Sequence, residues 1–393
     1  MAGRDFVQIP GPTNLPERVL RAMDRAMIDH RGPRFGEMLK EILPRLTPIF
    51  GTHKGTPVIF SGTGTAGMEA ALVNTLSPGD RVLVFVIGQF SLAYARMAER
   101  LGLRVERVDL PWGSDIGERI VEERLRADDR HAIRAVLAIH NETSTGVTVD
   151  IAAVRRGMER AAHPALLVVD TISGLGSMDF KLDEWGVDVA IAGSQKGLML
   201  PPGLAVVCVS DKALRAGETA RLPRSYFDWA AIIEQNRKGY FPYTPSTQLL
   251  FGLAESLAML HEEGLPQVYA RHARLAEGVR RAVAAWNLPL VALEPESASN
   301  SVTAIRLPEG ADADRVITAA GARFHIALGA GLGPLQGHVF RIGHLGALNA
   351  VEVLAVLGGV EMALSVQGLP IELGKGVAAA QQWFLSPNGH APA

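Results

Sequence analysis

The chain has 393 residues, 48 % of them hydrophobic and 20 % charged, with a formal net charge of −2. Such a length holds two or three domains' worth of core, and the balance is that of an ordinary soluble globular protein. The charges are dispersed, so no basic stripe suggests nucleic acid and no Lys/Arg-rich amphipathic segment suggests a membrane surface.

The opening MAGRDFVQIPGP has no apolar signal core, and no run anywhere is long enough to span a bilayer. A cytoplasmic protein is expected. Residues 1–20, rich in Pro and Gly, read as an extended arm. From about residue 57 to 210, short apolar runs alternate with helical patterns. The strand candidates are PVIFS (57–61), RVLVFV (81–86), AVLAIH (135–140), ALLVVD (165–170), DVAIAG (188–193) and LAVVCVS (204–210). Most are apolar throughout, as strands covered on both faces should be.

Between the strand candidates, SLAYARMAERLG (91–102) and DIAAVRRGMERAA (150–162) show helical spacing. Alternating β and α elements predict an α/β fold with a mainly parallel, doubly wound sheet, here a large domain over 21–265. The lone cysteine, Cys208, lies inside an apolar run. It excludes an intramolecular disulfide and a cysteine-based metal cluster, and a reducing compartment fits it. After about residue 265 a long helical pattern, YARHARLAEGVRRAVAAW, is followed by shorter strand candidates such as SVTAIRLP and HVFRIGHL. These predict a smaller C-terminal α+β domain over 266–393.

In open α/β sheets, ligands bind beyond the carboxyl ends of the strands. Ser61–Thr65, Gly88–Phe90, His140–Ser144, Asp170–Ser173 and Ser194–Lys196 each follow a strand candidate, so all five converge on one rim. The first of them opens SGTGTAGMEAAL, where Gly62, Gly64 and Gly67 have the spacing G-x-G-x-x-G. A glycine turn feeding a helix N-terminus suits any phosphate. A dinucleotide site also wants an acidic residue about twenty positions on. The next strand ends VFVIGQF with no acid. Thr63 and Thr65 add hydroxyls suited to a phosphomonoester, with a purely structural turn as the plain alternative.

Lys196, in AIAGSQKGLMLPPG, keeps apolar company. Desolvation lowers an amine's pKa and makes it nucleophilic, able to form a Schiff base. Beside a phosphate loop, that points to pyridoxal phosphate. The cofactor's pyridine nitrogen needs an acid, and Asp170 at the end of ALLVVD supplies one. Taken singly, Lys196 reads as a surface lysine and Asp170 as a cap; together on one rim they favour the cofactor. Phe90 could stack on the ring or merely pack a helix. His140 reads first as a core histidine, while Asn141 and Thr143 reach a ring hydroxyl or cap their loop. Arg341, within GHVFRIGHLG, suits a substrate α-carboxylate, with an internal salt bridge as the alternative.

These motifs resemble the class V (fold type I) pyridoxal-phosphate aminotransferases, in the serine–glyoxylate and alanine–glyoxylate branch. The resemblance runs from PGPTNLP (10–16) through SGTGTAGMEAAL, HNETSTGVTVDI, HPALLVVD and DEWGVDVAIAGSQKGLMLPPGL to YFPYTPSTQLL, RIGHLG and GVAAAQ (376–381). It implies that Lys196 is the Schiff-base lysine and that Gln195, Thr63, Gly64 and Thr65 contact the phosphate. Phe90 then stacks on the pyridine ring, often a tryptophan's task, with Thr143 near the ring hydroxyl and Asp170 at the ring nitrogen. Arg341 takes the substrate carboxylate. Tyr243 and Thr244, in KGYFPYTPS, reach the neighbouring subunit's phosphate, which implies an obligate homodimer.

Two departures stand out. TISGLGSMD follows where many relatives read GVSS, and Phe241 stands where alanine–glyoxylate relatives place a tyrosine. The C-terminus lacks the peroxisomal tripeptide of plant relatives.

The implied activity is ping-pong transfer of an amino group from a small L-amino acid, serine foremost, to glyoxylate. Alanine or aspartate as donor is the alternative. A class V lyase such as a cysteine desulfurase needs a mobile catalytic cysteine, which Cys208 is not. A non-catalytic cofactor-binding protein and a nicotinamide oxidoreductase are the remaining readings.

Overall fold

The structure, a computed structural model, describes residues 5–387. The chain begins with strand β1 (Phe6–Gln8) and helices α1 (Glu17–Met23) and α2 (Pro33–Leu46). Then β2 (Thr56–Ser61), α3 (Gly64–Thr75), β3 (Arg81–Val86), α4 (Gln89–Arg100), β4 (Arg104–Asp109), α5 (Glu118–Arg126) and β5 (Ile133–Ile139) alternate. A small hairpin, β6 (Asn141–Glu142) and β7 (Val147–Thr148), precedes α6 (Ile151–Arg160). The series continues with β8 (Leu166–Asp170), β9 (Val189–Gly193), β10 (Leu204–Val209) and helices α7 (Asp211–Thr219), α8 (Trp229–Arg237) and α9 (Thr247–Glu263). The C-terminal part holds α10 (Leu265–Ala285), β11 (Val302–Arg306), α11 (Ala313–Phe324), β12 (Ile326–Ala330), β13 (Val339–Gly343), α12 (Ala350–Val366) and α13 (Lys375–Leu385).

Seven strands form the main sheet in the order β2-β10-β9-β8-β5-β3-β4. All run parallel except β10, antiparallel to both neighbours. The central strands β8, β9 and β10 are buried at every position, which explains their unbroken apolar sequences. The doubly wound expectation therefore holds, and every strand candidate between 57 and 210 falls on a strand with ends shifted by a residue or two.

The edge strand β4 was not among those candidates. Its sequence RVERVD is polar and mostly part-exposed, so it lacks the apolar run that marks the interior strands.

A second sheet, β1-β12-β13-β11, lies in the C-terminal part. Its strand β1 comes from the N-terminal arm and pairs parallel to β12, Phe6 opposite Ile326. One large core runs from Val19 to Val268 and a second from Leu275 to Phe384, so the change of core falls inside α10.

Candidate active site

Because β2, β3, β5, β8 and β9 share one direction, their carboxyl ends open on one rim. A cavity of about 260 Å³ lies there, lined among others by Gly11, Gly64, Thr65, Phe90, Asn141, Thr143, Asp170, Ile172, Ser173, Gln195 and Lys196. Seven of the sequence-predicted site residues meet in it: Gly64, Thr65, Phe90, Thr143, Asp170, Gln195 and Lys196. Arg341 on β13 adjoins them, its Nη1 donating to the Thr143 carbonyl at 3.0 Å and its Nε to the Ala330 carbonyl at 2.9 Å. Thr63, the exposed N-cap of α3, is not among the lining residues. Tyr243 and Thr244 are not among the residues that line the cavity. Tyr243 stacks on Tyr226 at 4.3 Å between ring centroids, and Thr244 is exposed.

Lys196 follows β9 and is covered by the N-terminal arm. Its Nζ donates to the Pro10 carbonyl, and a Cβ on Gly11 would come 2.7 Å from Nζ. Gly11 has φ +97°, so both backbone conformation and space require glycine there. Burial, then the Arg341 guanidinium, lowers the Lys196 ammonium to about 8, while Asp170 opposes the fall. A partly unprotonated amine at neutral pH is what a nucleophilic lysine needs.

Asp170 ends the fully buried β8. Burial raises its carboxyl to about 7, opposed chiefly by the Ile172 N–H, which donates to Oδ1 at 2.8 Å. A cation at the far side of this carboxyl would hold it ionised.

The arrangement can be tested for fit to a phosphorylated pyridine aldehyde. Gln195 Oε1 is buried with no hydrogen-bond partner, so the cavity wall holds an unpartnered side-chain amide, whose NH2 end would face a phosphate once the amide is turned over. Thr63 offers no side-chain cap to α3, and its carbonyl takes the Ala66 N–H at 2.8 Å, so the N–H groups of the cavity-lining Gly64 and Thr65 are the ones left for an anion. A Cβ on Gly64 would come 2.5 Å from Ile172 Cδ1, so glycine keeps this approach open. Phosphate donors, a ring-nitrogen partner, an aromatic wall and a depressed lysine are all present. The residues fit the group.

Ser173 and Glu142 lie in the rim segments legible in the sequence, which gave neither a role. Ser173, in the departing TISG segment, accepts from the Thr143 hydroxyl at 2.7 Å and from Asn141 Nδ2 at 2.8 Å. Asn141 also donates to Ser301 Oγ at 2.9 Å, tying the rim to the second sheet's side of the molecule. Glu142 is wholly buried beside the cavity. Its only sequence signal was its place in the rim segment His140–Ser144, which assigns it no role of its own.

His140 is a core residue. It is buried between the rings of Phe180 and Trp185, and burial lowers it to about 4, so it is neutral. Phe241 is also buried, edge-on to Phe35 at 6.2 Å.

The family model described as aminotransferase class-V matches residues 6–341. Over 387 residues the chain is 51 % identical to the serine–glyoxylate aminotransferase of Methylorubrum extorquens, covering 97 % of this chain and 96 % of that one. It is 50 % identical over 391 residues to the L-aspartate–glyoxylate aminotransferase of Paracoccus denitrificans, covering 100 % and 99 %. Among solved structures, the pyridoxamine–pyruvate aminotransferase of Mesorhizobium loti superposes with a TM-score of 0.91 at 29 % identity, over 97 % of each chain. The lysine–aspartate cavity at the sheet's carboxyl rim thus sits on a shared fold and a shared sequence, and the chain belongs to the class V aminotransferases.

Proposed function

We propose that this protein is a pyridoxal-phosphate-dependent transaminase that passes the amino group of a small L-amino acid, serine foremost, to glyoxylate. The products are glycine and a 2-oxo acid, hydroxypyruvate when serine is the donor. The observation that carries the reading is the convergence of Lys196 and Asp170 on one cavity walled by Phe90, with Arg341 alongside.

Bound pyridoxal phosphate supplies an aldehyde that condenses with amines and a ring that withdraws electrons from the adjoining carbon. Lys196 Nζ would hold it, and Thr63, Gly64, Thr65 and Gln195 would receive its phosphate. Asp170 would keep a proton on the pyridine nitrogen, Phe90 would pack against the ring, and Thr143 would meet the ring hydroxyl.

Lys196 Nζ, once free, would take the proton from the donor's Cα as general base and deliver it as general acid to the cofactor carbon that carried the aldehyde. Arg341 has Nε and one Nη1 proton committed to backbone carbonyls, which leaves Nη2 to orient the carboxylate of either substrate. The donor leaves as the oxo acid before glyoxylate enters, so the kinetics are ping-pong.

Two features bear on donor and assembly. Lys196 is the sole cation among the cavity-lining residues, which favours a donor with an uncharged side chain over aspartate, the donor named for the Paracoccus relative. The position of Tyr243 and Thr244 outside the cavity of their own chain supports a homodimer in which they serve the neighbouring phosphate. No helix among the described residues is long and apolar enough to cross a membrane. A single cysteine, which allows no disulfide within the chain, fits a reducing compartment, and a cytoplasmic location is part of this proposal.

Initial rates with glyoxylate and a panel of L-amino acids test the reading. Serine is expected to exceed aspartate in kcat/KM by about tenfold or more. A preference for aspartate reassigns the donor, and no turnover with any α-amino acid contradicts transamination.

A further inference from the structure

Glu142 sits on β6 with no exposed surface, yet it carries a carboxylate. Oε1 accepts from the Ser144 N–H at 3.1 Å and the Ser144 hydroxyl at 2.6 Å. Oε2 accepts from the Ser91 N–H at 2.9 Å, and the Ser91 hydroxyl lies 3.0 Å away. The Phe90 N–H forks to both oxygens, at 3.1 and 3.3 Å. Ser144 extends the grip, its hydroxyl accepting from the Gln89 N–H at 2.9 Å. One carboxylate therefore claims, directly or through Ser144, the N–H groups of Gln89, Phe90 and Ser91, the first turn of α4. An anion at a helix N-terminus also meets the favourable end of the helix dipole.

The turn so held carries Phe90, which walls the cavity. The next residue along the chain from Glu142 is Thr143, whose carbonyl receives Arg341 and whose side chain lines the cavity. Gly88 leaves the room this requires, because a Cβ there would overlap the Glu142 side chain and come 2.5 Å from Ser144 Oγ.

We propose that Glu142 is a positioning residue that fixes the Phe90 ring in register with Thr143 and the Arg341 anchor, so that one buried carboxylate sets the spacing between cofactor ring and substrate carboxylate. The inference rests on the pyridoxal phosphate reading above. Both oxygens of Glu142 face N–H donors, so an amide cannot replace the carboxylate: its NH2 group would oppose a donor in either orientation.

The experiment uses the full chain stripped of cofactor. Equilibrium binding of pyridoxal phosphate and the induced circular dichroism of the bound state are measured for the wild type, Glu142→Gln and Ser144→Ala. Apo-protein melting and donor KM are recorded alongside. Glu142→Gln is expected to weaken cofactor binding by about tenfold or more, as leaving buried donors unpaired does, and to alter the dichroism and raise the donor KM.

Ser144→Ala, which removes only the hydroxyl contact and the relay to Gln89, is expected to show a smaller change of the same kind. It serves as the test if Glu142→Gln does not fold. Glu142→Asp, which keeps two acceptor oxygens, is expected to restore part of the affinity lost in Glu142→Gln. Wild-type affinity, dichroism and KM in Glu142→Gln, or in Ser144→Ala should the former not fold, overturn the inference even if melting falls. Failure of the wild type to bind pyridoxal phosphate sinks the parent reading instead.

Discussion

Lys196 meets a poorer solvent than a surface lysine, and burial is the largest cause of its fall to about 8, ahead of the Arg341 guanidinium. The free amine is the reactive form, and a depressed pKa means that it accumulates as pH rises through about 8. Capture of added pyridoxal phosphate by the apo protein should therefore accelerate across that window and level off above it. A flat rate would contradict the assignment.

Asp170 opposes the depression, so Asp170→Asn should move the midpoint of that profile downward. The same variant should lower kcat by about a hundredfold or more, because the ring nitrogen loses its charged partner. Lys196→Ala should lose about a thousandfold or more in turnover, as removal of a general acid–base does.

Both residues were legible in the sequence because Asp170 ends one apolar strand and Lys196 closely follows another, where a charge is costly without a purpose. Glu142 was not, since its burial depends on the N-terminus of α4, contributed by residues some fifty positions earlier. Ser173 was visible as the end of the rim segment Asp170–Ser173, but its link to Thr143 is a matter of folded geometry.

At the scale of elements, buried carboxylates recur as fasteners of helix starts. Glu361, on α12 and buried, accepts from the Gly376 N–H at 2.7 Å, the Val377 N–H at 3.1 Å and Trp286 Nε1 at 2.9 Å. It thus ties the first turn of α13 to α10. Glu361→Gln should destabilise the protein by about 1–3 kcal/mol, read as a lower denaturation midpoint, because buried donors lose an acceptor. An unchanged midpoint would show that the helix start is held otherwise.

Interior strands β3, β5, β8, β9 and β10 could be read from sequence because both faces are buried and the pattern is simply apolar. The strands β1, β4 and β12 could not. β4 is a charged edge, and β1 with β12 makes a short pair between residues from opposite ends of the chain, which no local pattern encodes.

Among the described residues the two larger cores meet within α10, and we propose that they mark a large cofactor domain and a smaller C-terminal one. Strand β1 belongs to the sheet of the second, while Gly11 and Pro12 line the cavity of the first. The N-terminal arm thereby spans both parts over the reactive lysine. Arg341 and Asn141 tie the same two regions across the rim.

A homodimer that completes the phosphate site through Tyr243 and Thr244 makes a further prediction. Light scattering should give a dimer mass, and Thr244→Ala should weaken cofactor binding by a few-fold although Thr244 does not line the cavity of its own chain. A monomer with full cofactor affinity would contradict this.

The most direct test of the central claim is a spectral titration of the cofactor-loaded protein. Adding L-serine without glyoxylate should bleach the visible absorption band of the lysine-bound cofactor and release one hydroxypyruvate per site. Adding glyoxylate should then restore the band and release glycine. A band that serine leaves unchanged, or that returns without glyoxylate, would contradict the account.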